Sequence, residues 1–297
     1  MNYMTWQPGL TLNFLNKKID ALEKGGKIII DGLPDTFYHQ SKGISCSMIK
    51  KYIENPLKYH YEYILTEGEK ITKTEKKSYF DFGKAIHTLL LEPHLFDDTY
   101  VKQDESIKVR RGKIWDEFEE VHAGKTILTS EQWEHIEYFS KQDSYADLAK
   151  YFVNGTPEQS CFYYDPNFDC VLKCRPDFYN PNLGLMIDLK TINNASPEYL
   201  SHQSLKLGYH VQDAFYSYIY NYPEFIFVFV ESNPPFPCTF PVSISSEAKE
   251  LGKLLFTKAI NDIKNSIEND IWTSYTDSEV EITLNFYQKN LLEQMRG

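Results

Sequence analysis

No stretch of the 297-residue chain approaches the roughly 20 consecutive apolar residues that a membrane helix needs. The opening MNYMTWQPGL also lacks the basic-then-apolar form of a signal peptide. No membrane partner is expected, and the reading places the protein in the cytoplasm. Cysteine is scarce: Cys46, Cys161, Cys170, Cys174 and Cys238 are odd in number, widely spaced and free of any CxxC. That excludes a disulfide framework and a zinc ribbon and leaves buried thiols. No four closely placed ligands exist for an iron–sulfur site. Internal repeats and low-complexity tracts are absent as well. Basic residues are outnumbered, 31 against 42 acidic, for a net charge of −11. This balance opposes a nucleic-acid partner, because phosphate binding rests on Lys and Arg. Two clusters run against it: Lys70, Lys73, Lys76 and Lys77, then Lys108, Arg110, Arg111 and Lys113. Each is either a phosphate contact or a solvated surface.

What is present is hydrophobic and aromatic. A 42% apolar share with 19 Phe and 22 Tyr is enough for a full core and argues against disorder. Residues 45 to 64 read as helix, capped by Ser45 or Ser47 and interrupted at Pro56. A second helix is expected from Phe80 to Leu91, before Pro93. Residues 94 to 125 are charged and contain glycine, which predicts a long loop or excursion, and Ser130 opens a helix through Lys150. From Ser160 the period changes. Residues 161–164, 170–178 and 184–191 read as strands in a three-stranded meander, with DPNFD and NPNLG as turns. Ser196-Pro197 starts a helix that stops at Gly208, and residues 209–220 form another. FIFVFV (225–230) is a buried strand, and Ser246 caps a long helix to Asn269. The fold class expected is α/β (α+β), a mixed sheet flanked by helices. Residues 1–37 are read as an extension of uncertain structure and 38–297 as one domain.

Strand alternation puts Val171, Lys173, Arg175 and Asp177 on one face, and Met186, Asp188 and Lys190 on one face of the next strand. Leu185, Ile187 and Leu189 bury the other side, so the register holds Asp188 and Lys190 together. A turn centred near Asn182 sets Asp177 almost across from Asp188. Adjacent carboxylates repel unless a cation sits between them, and Mg²⁺ is a hard ion suited to oxygen ligands. Such an ion polarises a phosphoryl oxygen and acidifies water, while Lys190 can orient or deprotonate a nucleophile. The other reading of a D…DxK triplet is a surface salt bridge at a sheet edge.

The string KCRPDFYNPNLGLMIDLKT resembles the PD-(D/E)xK core of RecE and RecB-like exonucleases, with RPD at 175–177 and DLK at 188–190. ISCSMIKKYIENPLKYHYEY, FDFGKAIHTLLLEP, RRGKIWDEF, PEQSCFYYD and GYHVQDAFYSYIY resemble family segments in the same order, over roughly residues 38 to 235. The resemblance implies a PD-(D/E)xK, restriction-endonuclease-like nuclease with a catalytic set of His87, Asp177, Asp188 and Lys190. It implies metal ligation by His87, Asp177, Asp188, Glu158 and the Leu189 backbone carbonyl, for Mg²⁺ with Mn²⁺ as substitute. Gln212 and Tyr216, four apart on one helix face, match a QxxxY element that contacts DNA or braces the lysine. Lys173, Arg175, Arg110 and Arg111 are the further DNA-binding candidates. The activity implied is 5′-to-3′ degradation of one strand at double-stranded DNA ends. The 3′ overhang would pass to a single-strand annealing recombinase, and a homo-oligomeric ring would confine basic residues to its channel. Another polarity, endonuclease action, or a catalytically inactive nucleic-acid-binding protein of the same fold are the alternatives.

Overall fold

A computed structural model describes residues 2–66, 68–70, 82–221, 223–276 and 278–296. Lys73, Lys76, Lys77 and the first residues of the helix expected from Phe80 lie outside these.

The strands are β1 (Asn2–Thr5), β2 (Lys27–Asp31), β3 (Ile44–Ser45), β4 (Tyr100–Lys102), β5 (Thr126–Leu128), β6 (Thr156–Pro157), β7 (Ser160–Asp165), β8 (Cys170–Cys174), β9 (Phe178–Asn180), β10 (Leu185–Ile192), β11 (Glu224–Glu231) and β12 (Cys238–Val242). The helices are α1 (Leu12–Asp20), α2 (Asp35–Gln40), α3 (Cys46–Glu54), α4 (Pro56–Tyr59), α5 (Phe82–Leu91), α6 (Phe96–Thr99), α7 (Lys113–Val121), α8 (Ser130–Ser140), α9 (Asp143–Ala149), α10 (Pro197–Lys206), α11 (Tyr209–Tyr220), α12 (Ser246–Asn269) and α13 (Phe286–Arg296). One mixed sheet has the order β1-β2-β7-β8-β3 and a second β12-β11-β10-β9-β6, while β4 and β5 pair separately. Among the described residues no helix is long and apolar enough to cross a membrane.

β10 and β11 run parallel with Asp188 opposite Phe227, and both of their faces are buried. Met186, Phe225, Phe227 and Phe229 enter one core with α11 and α12, while Ile187, Leu189, Ile226 and Val228 enter another with α5 and α8. Burial on both sides is why FIFVFV is apolar without alternation.

Several elements differ from the sequence reading. The stretch 170–178 is two strands in two sheets, not one arm of a meander, because Pro176 has no N–H for the ladder and the chain breaks after Cys174. Only 178–180 goes on to pair with β10. The helix expected from Ser130 to Lys150 is split, with Gln142 in extended conformation at the N-cap of α9. The excursion after Pro93 is structured: it holds α6, α7 and the parallel pair β4–β5. Ser245, rather than Ser246, caps α12, its hydroxyl accepting from the Ala248 N–H. Residues 2–31 join the first sheet, with β2 antiparallel to β7 over Lys27–Ile30, so the N-terminal segment is woven into the fold.

Candidate active site

The turn between β9 and β10 places the acidic pair. Asn180 Oδ1 accepts the N–H groups of Asn182 and Leu183, and the register that follows sets Ile187 against Phe178. One step beyond the ladder, Asp177 lies beside β10, and its Oδ2 accepts the Leu189 N–H at 2.6 Å. Asp188 points to the α11 face, 2% exposed, in an ion pair with Lys190 and accepting from the Gln212 side-chain amide.

Two further elements close on this edge. α5 buries Ala85, Ile86 and Leu90 and brings His87 Nε2 to 2.9 Å from the Leu189 carbonyl oxygen and 3.8 Å from Asp177 Oδ2. Glu158 stands just before β7 with φ of 48°, a left-handed conformation that costs a non-glycine residue about 1–2 kcal/mol. Its N–H donates to the Asp177 carbonyl at 2.9 Å, which holds the bend. One ligand atom each from His87, Glu158 and Asp177 lies within 4.8 Å of the others.

The electrostatics suit a cation. Burial, then the charge of Asp177, pushes the Glu158 carboxyl up to about 8. Burial, then Asp188, pushes Asp177 up to about 6. Burial pulls the Lys190 ammonium down, but the carboxylates of Asp188 and Asp177 outweigh it and its pKa is raised. Both shifts come first from burial and second from the neighbouring carboxylate, and a cation among these groups would favour their charged forms. The donor set is hard, oxygen with one imidazole, as Mg²⁺ or Mn²⁺ takes. Adjacent ligands about 2.1 Å from an octahedral ion stand roughly 3.0 Å apart; His87 Nε2 and the Leu189 oxygen, here joined by a hydrogen bond, have that spacing, and Asp177 Oδ2 at 3.8 Å from Nε2 would move in to share the ion. The residues present therefore fit a divalent ion.

The other candidates separate by environment. Arg175 is 8% exposed and borders the site, its Nε on Ser160 Oγ, Nη2 on the Leu33 carbonyl and Nη1 3.9 Å from Glu158. Lys173 is 2% exposed, with its ammonium on the carbonyls of Tyr38, His39 and Ser41. It is corrected to an internal clamp, since its donors are spent within the protein. Gln212 is buried against Asp188 and Tyr216 packs its ring on Phe225, so both are interior groups and not DNA contacts. Arg110 and Arg111 are both exposed, and Arg110 bonds to Gln103 Oε1 and the Ile127 carbonyl. Lys70 donates to the Glu62 carbonyl.

A cavity of about 960 Å³ opens over the cluster. Its walls include Leu33 and Asp35 from the N-terminal segment and Lys84 and Thr88 from α5. The sequence gives no local sign of Leu33 or Asp35, because their approach depends on β2 pairing with β7. Lys84 carries a weak signal, three residues before His87 and hence on a neighbouring part of the same helix surface.

A mixed sheet wrapped by helices, with the Asp188–Lys190 pair on β10 and Asp177 just before the adjacent strand β9, defines a PD-(D/E)xK nuclease core. A family model described as a PDDEXK-like domain of unknown function (DUF3799) matches residues 45–275, and the chain belongs to that family. Among solved structures it is similar to that of a "putative exonuclease" from Eubacterium rectale, with a TM-score of 0.54 and 11% identity over 89% of this chain and 98% of the other. At that identity the likeness is one of fold. A comparison with curated proteins finds no match. Together these place the chain in the PD-(D/E)xK nuclease superfamily.

Proposed function

We propose that this protein is a divalent-metal-dependent DNA exonuclease of the RecE type. The observation that carries the hydrolytic reading is the convergence of His87, Glu158, Asp177 and the Leu189 carbonyl beside the Asp188–Lys190 pair. A Mg²⁺ or Mn²⁺ ion held there supplies Lewis-acid charge to a phosphoryl oxygen and makes water more acidic. Lys190, fixed by Asp188, orients the nucleophile. Gln212 keeps Asp188 turned toward that lysine, and Arg175, its Nη1 3.5 Å from Asp35 Oδ1 and 3.9 Å from Glu158 Oε2, holds the Glu158 side of the cavity in place.

The exonuclease reading is supported by the ordered resemblance of several segments, with duplex ends as substrate, 5′-to-3′ polarity and 3′ overhangs for an annealing recombinase. A ring of copies is the assembly that goes with it and would reconcile the net charge of −11 with a DNA path.

The test is a time course on linear duplex and covalently closed circles, in Mg²⁺, Mn²⁺ and chelator. Nucleotides released from linear ends with circles intact is the expected result, and strand-specific end labels read the polarity. Cut circles would establish an endonuclease; no metal-dependent cleavage of either substrate refutes the proposal.

A further inference from the structure

The excursion between α5 and α8 encloses a second cavity of about 900 Å³, bounded by Arg110, Trp115, His122 and Lys125. Lys84 and Tyr100 line both this cavity and the one over the acidic cluster, so the two join at a shared rim. Three cations face the excursion cavity in a molecule of net charge −11. Their bonds go to neutral acceptors. Arg110 Nε donates to Gln103 Oε1 at 2.8 Å and Nη2 to the Ile127 carbonyl at 3.0 Å, and Lys125 Nζ donates to the Asp97 carbonyl at 2.7 Å. Lys84 is exposed. Among the described residues none of the three forms an ion pair with a carboxylate. Glu119 and Glu120 also border the cavity, and they would disfavour an anion in their own part of it. The Arg110 guanidinium lies 5.2 Å from the Trp115 ring centroid, which presents a flat cationic surface whose Nη1 makes no hydrogen bond among the described residues.

We propose that the excursion cavity binds a nucleotide unit of single-stranded DNA next to the bond at the metal cluster, through Lys84, Arg110 and Lys125. This rests on the nuclease reading above and names where the strand runs. Size decides between single strand and duplex. Pockets of about 300–1,000 Å³ hold one small molecule, so this one admits a nucleotide or two. A duplex, whose major groove alone is about 12 Å wide, stays outside. Chemistry decides for a nucleotide: ammonium groups match a phosphate, and the planar guanidinium offers a stacking surface to a base.

The probe is a short oligothymidylate titrated into the full chain in chelator, so that no strand is cut. Trp115 fluorescence should be quenched, and the quenching should be missing from Trp115→Phe. The double variant Lys84→Gln/Lys125→Gln should raise the dissociation constant at least about tenfold and lower the magnitude of the salt slope by about 1.4, at about 0.7 for each phosphate left without its lysine. Lys84→Gln alone, at an exposed position, should show about half of that slope change. Mn²⁺ affinity, read separately, should stay at the parent value in both. A folded double variant that binds with parental affinity and slope overturns the proposal, as does a parent that cleaves DNA but shows no Trp115 response. If the parent fails to cleave DNA in any metal yet binds oligothymidylate in this variant-sensitive way, the nuclease reading falls and the binding site stands.

Discussion

Asp188 has both oxygens engaged, one with Lys190 and one with Gln212, while His87, Glu158 and Asp177 form the cluster beside it. That division predicts a contrast between variants. Gln212→Ala lets the Asp188 carboxylate swing away from Lys190 and should slow cleavage about 10- to 100-fold at saturating Mg²⁺, with Mn²⁺ affinity close to parental. His87→Ala should instead lower Mn²⁺ affinity, measured by calorimetric titration. Equal Mn²⁺ affinities in His87→Ala and the parent would reduce His87 to helix packing. Proton linkage gives a second residue-scale prediction. Asp177 and Glu158 titrate at about 6 and about 8 in the folded chain, above the carboxylates of an unfolded one. Between roughly pH 4 and those values the folded state holds protons that the unfolded state has released. Their stabilising contribution is therefore complete below about pH 4 and is lost as pH rises through 6 and then 8. In chelator the melting temperature should fall over that range by more in the parent than in an Asp177→Asn/Glu158→Gln double variant. Mn²⁺, replacing the protons, should flatten the parent's decline. Identical pH profiles for parent and double variant in chelator would show that these groups do not carry the linkage.

At the scale of elements, the pair α11–α12 decides where Gln212 stands. Gly252 lets α12 lie directly on α11: a Cβ there would come 2.2 Å from the His210 carbonyl oxygen and 3.1 Å from the Ala214 side chain. Across the same contact Asp213, fully buried, meets Lys249 at 3.1 Å and accepts from the Ser217 hydroxyl. Gly252→Ala should force the helices apart and cost about 1–3 kcal/mol of stability, read from the urea midpoint. Cleavage should drop with it, because α11 carries the amide that holds Asp188. A Gly252→Ala protein with the parental midpoint would mean that α12 can shift without strain. Helix existence here was legible from periodicity and capping residues, as at Ser196 and Gly208. The close approach was not, since a lone Gly in a helical stretch gives no sign of which neighbour it admits.

Across the whole molecule, the N-terminal segment and the sheet that ends just before Arg175 are one body. β2 pairs with β7, Gln159 donates to Asp31 at 2.8 Å, and Lys173 and Arg175 bind the backbone of residues 33–41. Hydrogen exchange should therefore give the amides of Ile28–Ile30 the same opening free energy as those of β7, within about 1 kcal/mol. Much faster exchange in β2 would make the segment a detachable appendage. The limits of the sequence reading have the same origin. The NPNLG turn determined the β9–β10 register, which sets Asp177 one step past the Phe178–Ile187 pair, because a hairpin register depends only on nearby residues. The helix period determined that His87 leaves the buried face of α5. The ordered motifs determined the superfamily. Lys173 shows what they could not determine: it shares its strand with a metal-site motif, yet its ammonium is consumed by carbonyls more than 130 residues earlier. The pairing of Gln212 with Asp188, the bend at Glu158 and the cavity walls at Leu33 and Asp35 likewise arise only when distant segments pack. Local patterns encode the geometry of neighbours along the chain, whereas the partner of a buried polar group is set by whichever remote backbone closes over it.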